Sequence, residues 1–519
     1  MSLREDEKQS NTPVAHWNRF EFPEAARSAL VDAVAPDAAS LDAQYQHSQT
    51  RKNVQHATNV IQNKRNSVVA ELPDWQDLRD AGAAARAHTL RHLDHYLLEF
   101  EANCTRAGGQ VHWAADAAEA RRIALEIIER HGATEVVKIK TMTSEEIGLN
   151  DFLLAHGVKP VETDLAELIV QLGKDRPSHF VAPALHKSRG QVRDIFARAM
   201  GLPDLSDSPE ELAGAARRYL RRKFLDTKVA VSGANFLIAD TGGVCIVESE
   251  GNGRMCLTLP EVLISFVGIE KVIPRFRDLE IFLQTLPRSA TGERMNPYNS
   301  TWCGVHADDG PREFHVILLD NGRSPILADK EARQTLQCIR CAACLNACPV
   351  YHQTGGHAYE SVYAGPIGAI LTPQLHSMEA ARSLPYASSL CGACYEVCPV
   401  KINIPEVLIH LRGKVVAQDQ ATVSGRLSQW NMGMQAAAFL FEKGSRLSAA
   451  VHAGQFAQKA LVSKNGFIEW LPGMLGGWTR TRDLKALPAE SFRDWWAREK
   501  MPRRGAATTR VEPKGKESQ

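Results

Sequence analysis

Two stretches constrain this chain more than any others: QCIRCAACLNACPV at 337–350 and SSLCGACYEVCPV at 388–400. Both close on Cys-x3-Cys-Pro. The first carries Cys338, Cys341, Cys344 and Cys348; the second carries Cys391, Cys394 and Cys398, with Ser388 where a fourth cysteine would fall. Seven of the eleven cysteines therefore lie between 338 and 398, while Cys104, Cys245, Cys256 and Cys303 are scattered. Soft thiolates at Cys-x2-Cys-x2-Cys spacing wrap a tight loop around an iron–sulfide cage. Ala342 and Ala343 in one loop, and Gly392 and Ala393 in the other, let the backbone come close. Zinc is the competing reading. It needs four ligands per site, and seven cysteines with two Cys-Pro endings fit it poorly. The scattered four read as buried small apolar residues.

The cysteine before each proline faces away from its own loop, because Pro349 and Pro399 fix φ and turn the chain. In two-cluster ferredoxins that cysteine ligates the other cluster. One cluster is thus expected on Cys338, Cys341, Cys344 and Cys398, a complete [4Fe–4S] set. The other is expected on Cys348, Cys391 and Cys394, with one position open. Ser388 would fill that position as a harder oxygen ligand, or Cys303, His352 or His357 would reach in. Alternatively one iron is missing, so the second cluster is [4Fe–4S] or [3Fe–4S].

The rest of the sequence excludes several roles. With 61 Lys+Arg against 60 Asp+Glu the net charge is +1, so no global field attracts nucleic acid or an anionic membrane. No apolar run reaches the ~20 residues of a membrane span, and the amino-terminal stretch has no secretory pattern, so a cytoplasmic location is expected. Neither G-x-G-x-x-G after a strand nor G-x-x-x-x-G-K-[ST] occurs, and no Cys-Cys-Gly is present. Clusters move single electrons, whereas oxidising an alcohol releases two, and no site for splitting the pair is evident.

The pattern divides the chain into a polar leader (1–60), an α/β domain (61–325), a helical two-cluster domain (326–415), a helical Trp-containing region (416–502) and a disordered tail (503–519). Within the α/β part, GQVHWA, TEVVKIKT and FHVILLD read as strands, and KVAVSGANFLIADTGGVCIVES as two or three. DAAEARRIALEIIERHG reads as a helix ending at Gly132, and SEEIGLNDFLLAHGV as one capped helix starting near Ser144. The turn ESEGNGR offers Glu248, Glu250, Asn252 and Arg254 as a pocket at a strand end, or simply as a polar turn. Trp478, Trp495 and Trp496 would dock a partner or pack internally.

CIRCAACLNACPVY at 338–351, SSLCGACYEVCPVKINIPE at 388–406, GWTRTRDLKALPAESFR at 477–493 and GANFLIADTGGVCIVESEGNGR at 233–254 together resemble the lactate utilisation protein B family. The resemblance implies an α/β domain similar to the NagB/RpiA/CoA-transferase type, followed by an α-helical ferredoxin-like domain and a helical Trp-rich region. It implies an electron-transfer subunit of a complex that oxidises L-lactate to pyruvate. The implied partners are a Cys-Cys-Gly-rich redox subunit and a small α/β lactate-utilisation subunit. Two other readings of the chain are a complex acting on another 2-hydroxy acid such as glycolate, and an acyl- or CoA-type enzyme using Glu248 or Glu250, with accessory clusters.

Overall fold

The computed structural model describes residues 41–479 and 482–499. They fall into two units, 41–415 and 416–499. The tail expected at 503–519 and the first 40 residues of the expected leader lie outside the described residues.

The α/β part of the first unit contains ten strands: β1 (Gln110–Ala114), β2 (Glu135–Lys138), β3 (Lys159–Glu162), β4 (Val229–Ser232), β5 (Phe236–Ile238), β6 (Gly243–Glu248), β7 (Val262–Gly268), β8 (Val272–Ile273), β9 (Tyr298–Trp302) and β10 (Glu313–Leu319). Six of them form an all-parallel sheet in the order β1-β10-β7-β4-β2-β3. The central strands β4 and β7 are buried along their whole length. Helices cover both faces of such a sheet, which is why VLISFVG is continuously apolar instead of alternating. The remaining four strands make a second sheet, β8-β5-β6-β9. There β5 pairs antiparallel with β6 and parallel with β8. The expected strands within 228–249 are therefore three, but they are shared between two sheets.

Local chemistry sets the boundaries. Asp116 caps helix Ala117–Arg130 by accepting the Glu119 N–H, and Gly132 turns the chain at φ 60°. The single helix expected from Ser144 is instead two, Met142–Glu146 and Leu149–Ala155, broken at Gly148, where φ is 61°. Thr141 is the cap, and Ser144 is buried with its hydroxyl donating to the Thr141 carbonyl. The leader also differs from expectation. Helix Leu41–Ala70 runs through the boundary at 60, with Val54 and Thr58 fully buried. Its polar residues are anchored: Arg51 donates to the Gln353 carbonyl and Asn53 to that of His186.

The cysteine-bearing segment shares a core with the α/β domain. Phe236, Ile273, Leu279 and Phe282 belong to the same buried cluster as Cys338, Cys344, Leu345, Ile367 and Leu408. A buried ion network fixes the joint. Arg323 grips Glu146 with two bonds of 2.9 Å and reaches Glu270 through Nε. Glu270 also accepts from Arg340 of the first cysteine loop at 3.2 Å. Tyr363 donates to Glu146 at 2.7 Å.

In the second unit, helices Gln429–Glu442 and Gly444–Ala457 are followed by a small antiparallel pair, Phe467–Ile468 with Leu484–Lys485, and by helix Phe492–Glu499. Trp495 and Trp496 cluster with Phe492 at ring separations of 5.6 and 5.7 Å. The side chain of Trp478 lies outside what the structure describes. Trp430, Phe441, Phe456 and Trp470 are exposed, so aromatic surface faces solvent here instead of filling a core.

Although burial disfavours its charge, Glu270 is held down to about 2 by Arg323, Arg340 and Lys271. A depressed carboxylate stabilises the fold above its ordinary pKa and ceases to do so as pH falls through the folded value. Stability should therefore fall between the usual carboxylate range near pH 4.5 and about pH 2. Glu270→Ala leaves buried Arg340 without its carboxylate and Arg323 with Glu146 alone, and should cost about 3–5 kcal/mol. Urea unfolding at neutral pH checks the loss. In the variant, the part of the acid dependence that comes from Glu270 should be absent.

Candidate metal centre

The two cysteine loops are backbone copies offset by fifty positions. In the first, Arg340 and Ala342 are left-handed, at φ 60° and 62°. In the second, Leu390 and Gly392 are left-handed, at φ 55° and 86°. Such φ values are costly for residues bearing a Cβ. Two of them alternating within three residues coil the backbone tightly and turn its N–H groups inward. The Arg340 N–H donates to Cys338 Sγ at 3.4 Å, and the Leu390 N–H donates to Ser388 Oγ at 3.1 Å. A short helix follows each loop, Ala343–Asn346 and Ala393–Val397, and the two pack together. Each then gives way to Cys-Pro in extended backbone, Cys348 at ψ 119° and Cys398 at ψ 120°. The Ile402 N–H donates to Cys398 Sγ at 3.4 Å.

This arrangement sorts the thiols into two sets. Cys338, Cys341, Cys344 and Cys398 line one cavity, of about 340 Å³ of empty space. Its other walls are apolar, from Phe180, Ile339, Ile367, Val400 and Ile402. Cys348, Cys391 and Cys394 form the second set: beyond burial, the charge of Cys391 raises the Cys348 thiol, and the charges of Cys348 and Cys391 raise the Cys394 thiol. The sets adjoin, since Cys394 also raises the Cys344 thiol. Burial is the larger cause in every case, pushing Cys398 up to about 11 and Cys394 up to about 12. Burial raises the scattered Cys104 and Cys245 in the same way, so what points to a cation is the gathering of four thiols around one apolar cavity, where a metal takes thiolates directly. The donor set, the backbone N–H groups aimed at sulfur and the open cavity fit an iron–sulfur cage. Six of the seven cysteines are buried and only Cys391 is exposed, so the first set is enclosed and the second reaches the surface.

Sequence reading missed the arginines that hold the loops. Arg79 donates to the Cys398 carbonyl at 2.9 Å and to that of Tyr395 at 3.0 Å. Arg65 donates to the Val397 carbonyl at 3.1 Å, and Arg86 to the Leu336 carbonyl at 3.0 Å. Burial pulls Arg86 down to about 10, still charged at neutral pH. These cations fix ligand-bearing backbone and offset thiolate charge. Arg79 and Arg86 stand seven apart on one face of helix Trp75–Arg91, a spacing visible in the sequence. Between them Gly82 faces Pro399 and Val400, where a Cβ would make ordinary contact at 3.5 and 3.6 Å.

Other candidates fall elsewhere. Glu248 accepts the Gly253 and Arg254 N–H groups at 2.8 and 2.7 Å and so caps helix Asn252–Thr258. Glu250 accepts from the Leu165 N–H at 3.0 Å, and Asn252 donates to Thr163 at 3.2 Å. This turn is held by its own polar groups. A cavity of about 550 Å³ of open space does lie in this unit, among Glu145, Glu167, Arg176, His179 and Glu360, and Phe180 borders both it and the thiol cavity.

A LUD domain model matches residues 97–319, and a 4Fe-4S dicluster domain model matches 334–402. Lactate utilization protein B of Oceanobacillus iheyensis is 42% identical over 86% of this chain and 93% of its own length. The Bacillus subtilis protein of that name has the same identity and coverage, and the Exiguobacterium one is 44% identical over 86% of this chain and 94% of its own. The chain belongs to the lactate utilization protein B family. It is a lactate-utilisation iron–sulfur protein with a LUD α/β domain ahead of a 4Fe–4S dicluster domain. Among the described residues, no helix is long and apolar enough to cross a membrane.

Ala342 has a left-handed φ and is almost fully buried against the thiol cavity. Ala342→Gly, matching Gly392 of the other loop, should raise stability by about 1 kcal/mol. Ala342→Val should lower the iron bound per chain. Thermal unfolding and iron analysis of the anaerobically purified variants test both.

Proposed function

We propose that this chain is the electron-transfer subunit of a complex that oxidises L-lactate to pyruvate. In this reading two iron–sulfur clusters are held in crossed fashion, one by Cys338, Cys341, Cys344 and Cys398 and the other by Cys348, Cys391 and Cys394. The observation that carries it is the pair of adjoining thiol sets, one enclosed and one opening to solvent at Cys391. Bound clusters supply one-electron acceptors and donors, so two side by side suit the two electrons a 2-hydroxy acid gives up. The residues of this chain exclude water from the inner set and bring the outer set to the surface, where a redox partner can approach. Exposed Tyr386 and Tyr395 flank that opening in sequence.

The partners in this reading are a Cys-Cys-Gly-rich redox subunit and a small α/β lactate-utilisation subunit. The exposed aromatic side chains of 416–499 supply apolar surface for such contacts. The parallel sheet with its appended mixed sheet is consistent with a domain of NagB/RpiA/CoA-transferase type. A second reading, in which the α/β domain itself acts on an acyl or CoA-like ligand, is favoured by the polar cavity beside Glu167 and Arg176, not by Glu248 or Glu250.

Two experiments test this. Cys338→Ala and Cys398→Ala, sixty positions apart, should damage the same cluster in EPR spectra, and Cys391→Ala the other. Loss of different clusters from the first pair would refute the crossed arrangement. L-lactate should reduce the clusters only in the reconstituted complex. Reduction in the isolated chain would refute the carrier role, and an acyl-transfer activity that survives Cys341→Ser would favour the second reading.

A further inference from the structure

We infer that Ser388 supplies the fourth protein ligand of the outer cluster through its Oγ. This rests on the two-cluster reading above and completes the set formed by Cys348, Cys391 and Cys394. Ser388 stands three residues before Cys391, as Cys338 stands three before Cys341. The equivalence is geometric as well as sequential. The residue two after each is left-handed, Arg340 at φ 60° and Leu390 at φ 55°. That turn aims its N–H back at the ligand atom, Cys338 Sγ in one loop and Ser388 Oγ in the other. Serine hydroxyls commonly accept the N–H two residues on in ordinary turns; what sets Ser388 apart is that Leu390 and Gly392 are left-handed at the places of Arg340 and Ala342 in the first loop.

Ser388 is also fixed in place. Its N–H donates to the Tyr386 carbonyl at 2.8 Å, and its carbonyl accepts from Arg412 at 3.2 Å, while Arg412 also holds the Pro385 carbonyl at 2.8 Å. The other candidates for the open position are engaged elsewhere. Cys303 sits in the α/β domain, where its Sγ packs against Gly243 of β6. His352 directs Nε2 to the Asn346 carbonyl at 2.7 Å. His357 directs Nε2 to the Arg176 carbonyl at 2.9 Å and groups with Asp175 and His186.

Ligation forms one Fe–O bond as the Ser388 hydroxyl proton passes to water, with no change in electron count. The Leu390 N–H then steadies the alkoxide, as the Arg340 N–H steadies the Cys338 thiolate. An anionic oxygen is a harder donor than thiolate, which distinguishes one iron of the outer cage from its neighbours.

The test uses the full chain loaded anaerobically with 57Fe. Mössbauer spectra should show one iron site in about eight with parameters set apart from the rest. Ser388→Cys should keep the iron content, abolish that distinct site and shift the midpoint potential of one cluster only. Ser388→Ala should lose about one iron per chain on mild oxidation and give a [3Fe–4S] EPR signal. Ser389→Ala, at the exposed neighbouring residue, should match the unmodified chain. A Ser388→Ala protein with unchanged iron content and Mössbauer spectrum would overturn the assignment while leaving the two clusters in place. Absence of a second cluster from the unmodified chain would overturn both.

Discussion

The buried Glu270 carboxylate is the joint on which the site depends. It lies just past the end of β7, at the carboxyl edge of the parallel sheet, and pairs with Arg323 on one side and Arg340 on the other. Arg340 is itself the left-handed residue between the first two cysteines. The sheet therefore holds the loop at the point where its backbone is most strained. Isolated charges at this depth would be costly, and the pairing makes the position of the loop a property of the whole domain. The shared apolar core says the same, since α/β side chains and cysteines belong to one buried cluster. The cluster domain is not an independent ferredoxin joined by a linker.

A second set of cations enters from the amino-terminal helices. Arg65, Arg79 and Arg86 reach carbonyls on either side of the ligand loops. Each of these hydrogen bonds is charge-assisted, so each orients backbone more firmly than a neutral donor would. They also place positive charge around a group that carries negative charge when its thiolates are bound. Fixed ligand backbone and a compensating field are the two protein contributions that shape a cluster's potential, and both come from segments far away in the chain.

Much of this was legible in the sequence, and for definite reasons. Cys-x2-Cys-x2-Cys-x3-Cys-Pro can coil in few ways, so a crossed sorting of thiols is the expectation from spacing, and Cys338, Cys341, Cys344 and Cys398 line one cavity. Apolar runs such as FHVILLD announced strands, and this one lies buried in the parallel sheet. The polar run before residue 60 was less readable. Before residue 60 the described side chains of this helix that are buried are Val54 and Thr58, too few to show periodicity, so the stretch resembles a leader. Met142–Glu146 and Leu149–Ala155 were fused because the left-handed turn at Gly148 lies inside an otherwise helical pattern. The acidic turn at 248–254 was open to two readings, pocket or polar turn, because composition does not reveal that Glu248 and Glu250 accept backbone N–H groups.

The sequence by itself determined the chemistry: seven thiols at spacings that only a metal–sulfur cage explains, and a serine at the eighth place. Local rules suffice there, because ligand type and separation along the chain are short-range properties. Only the tertiary structure decided which set is enclosed and which meets solvent, which arginines surround them, and that the turn after Ser388 returns an N–H to its Oγ as the turn after Cys338 does to its Sγ. Those are long-range facts. They depend on Glu270, Arg79 and the first described helix converging from positions tens to hundreds of residues away, and no window along the chain contains them.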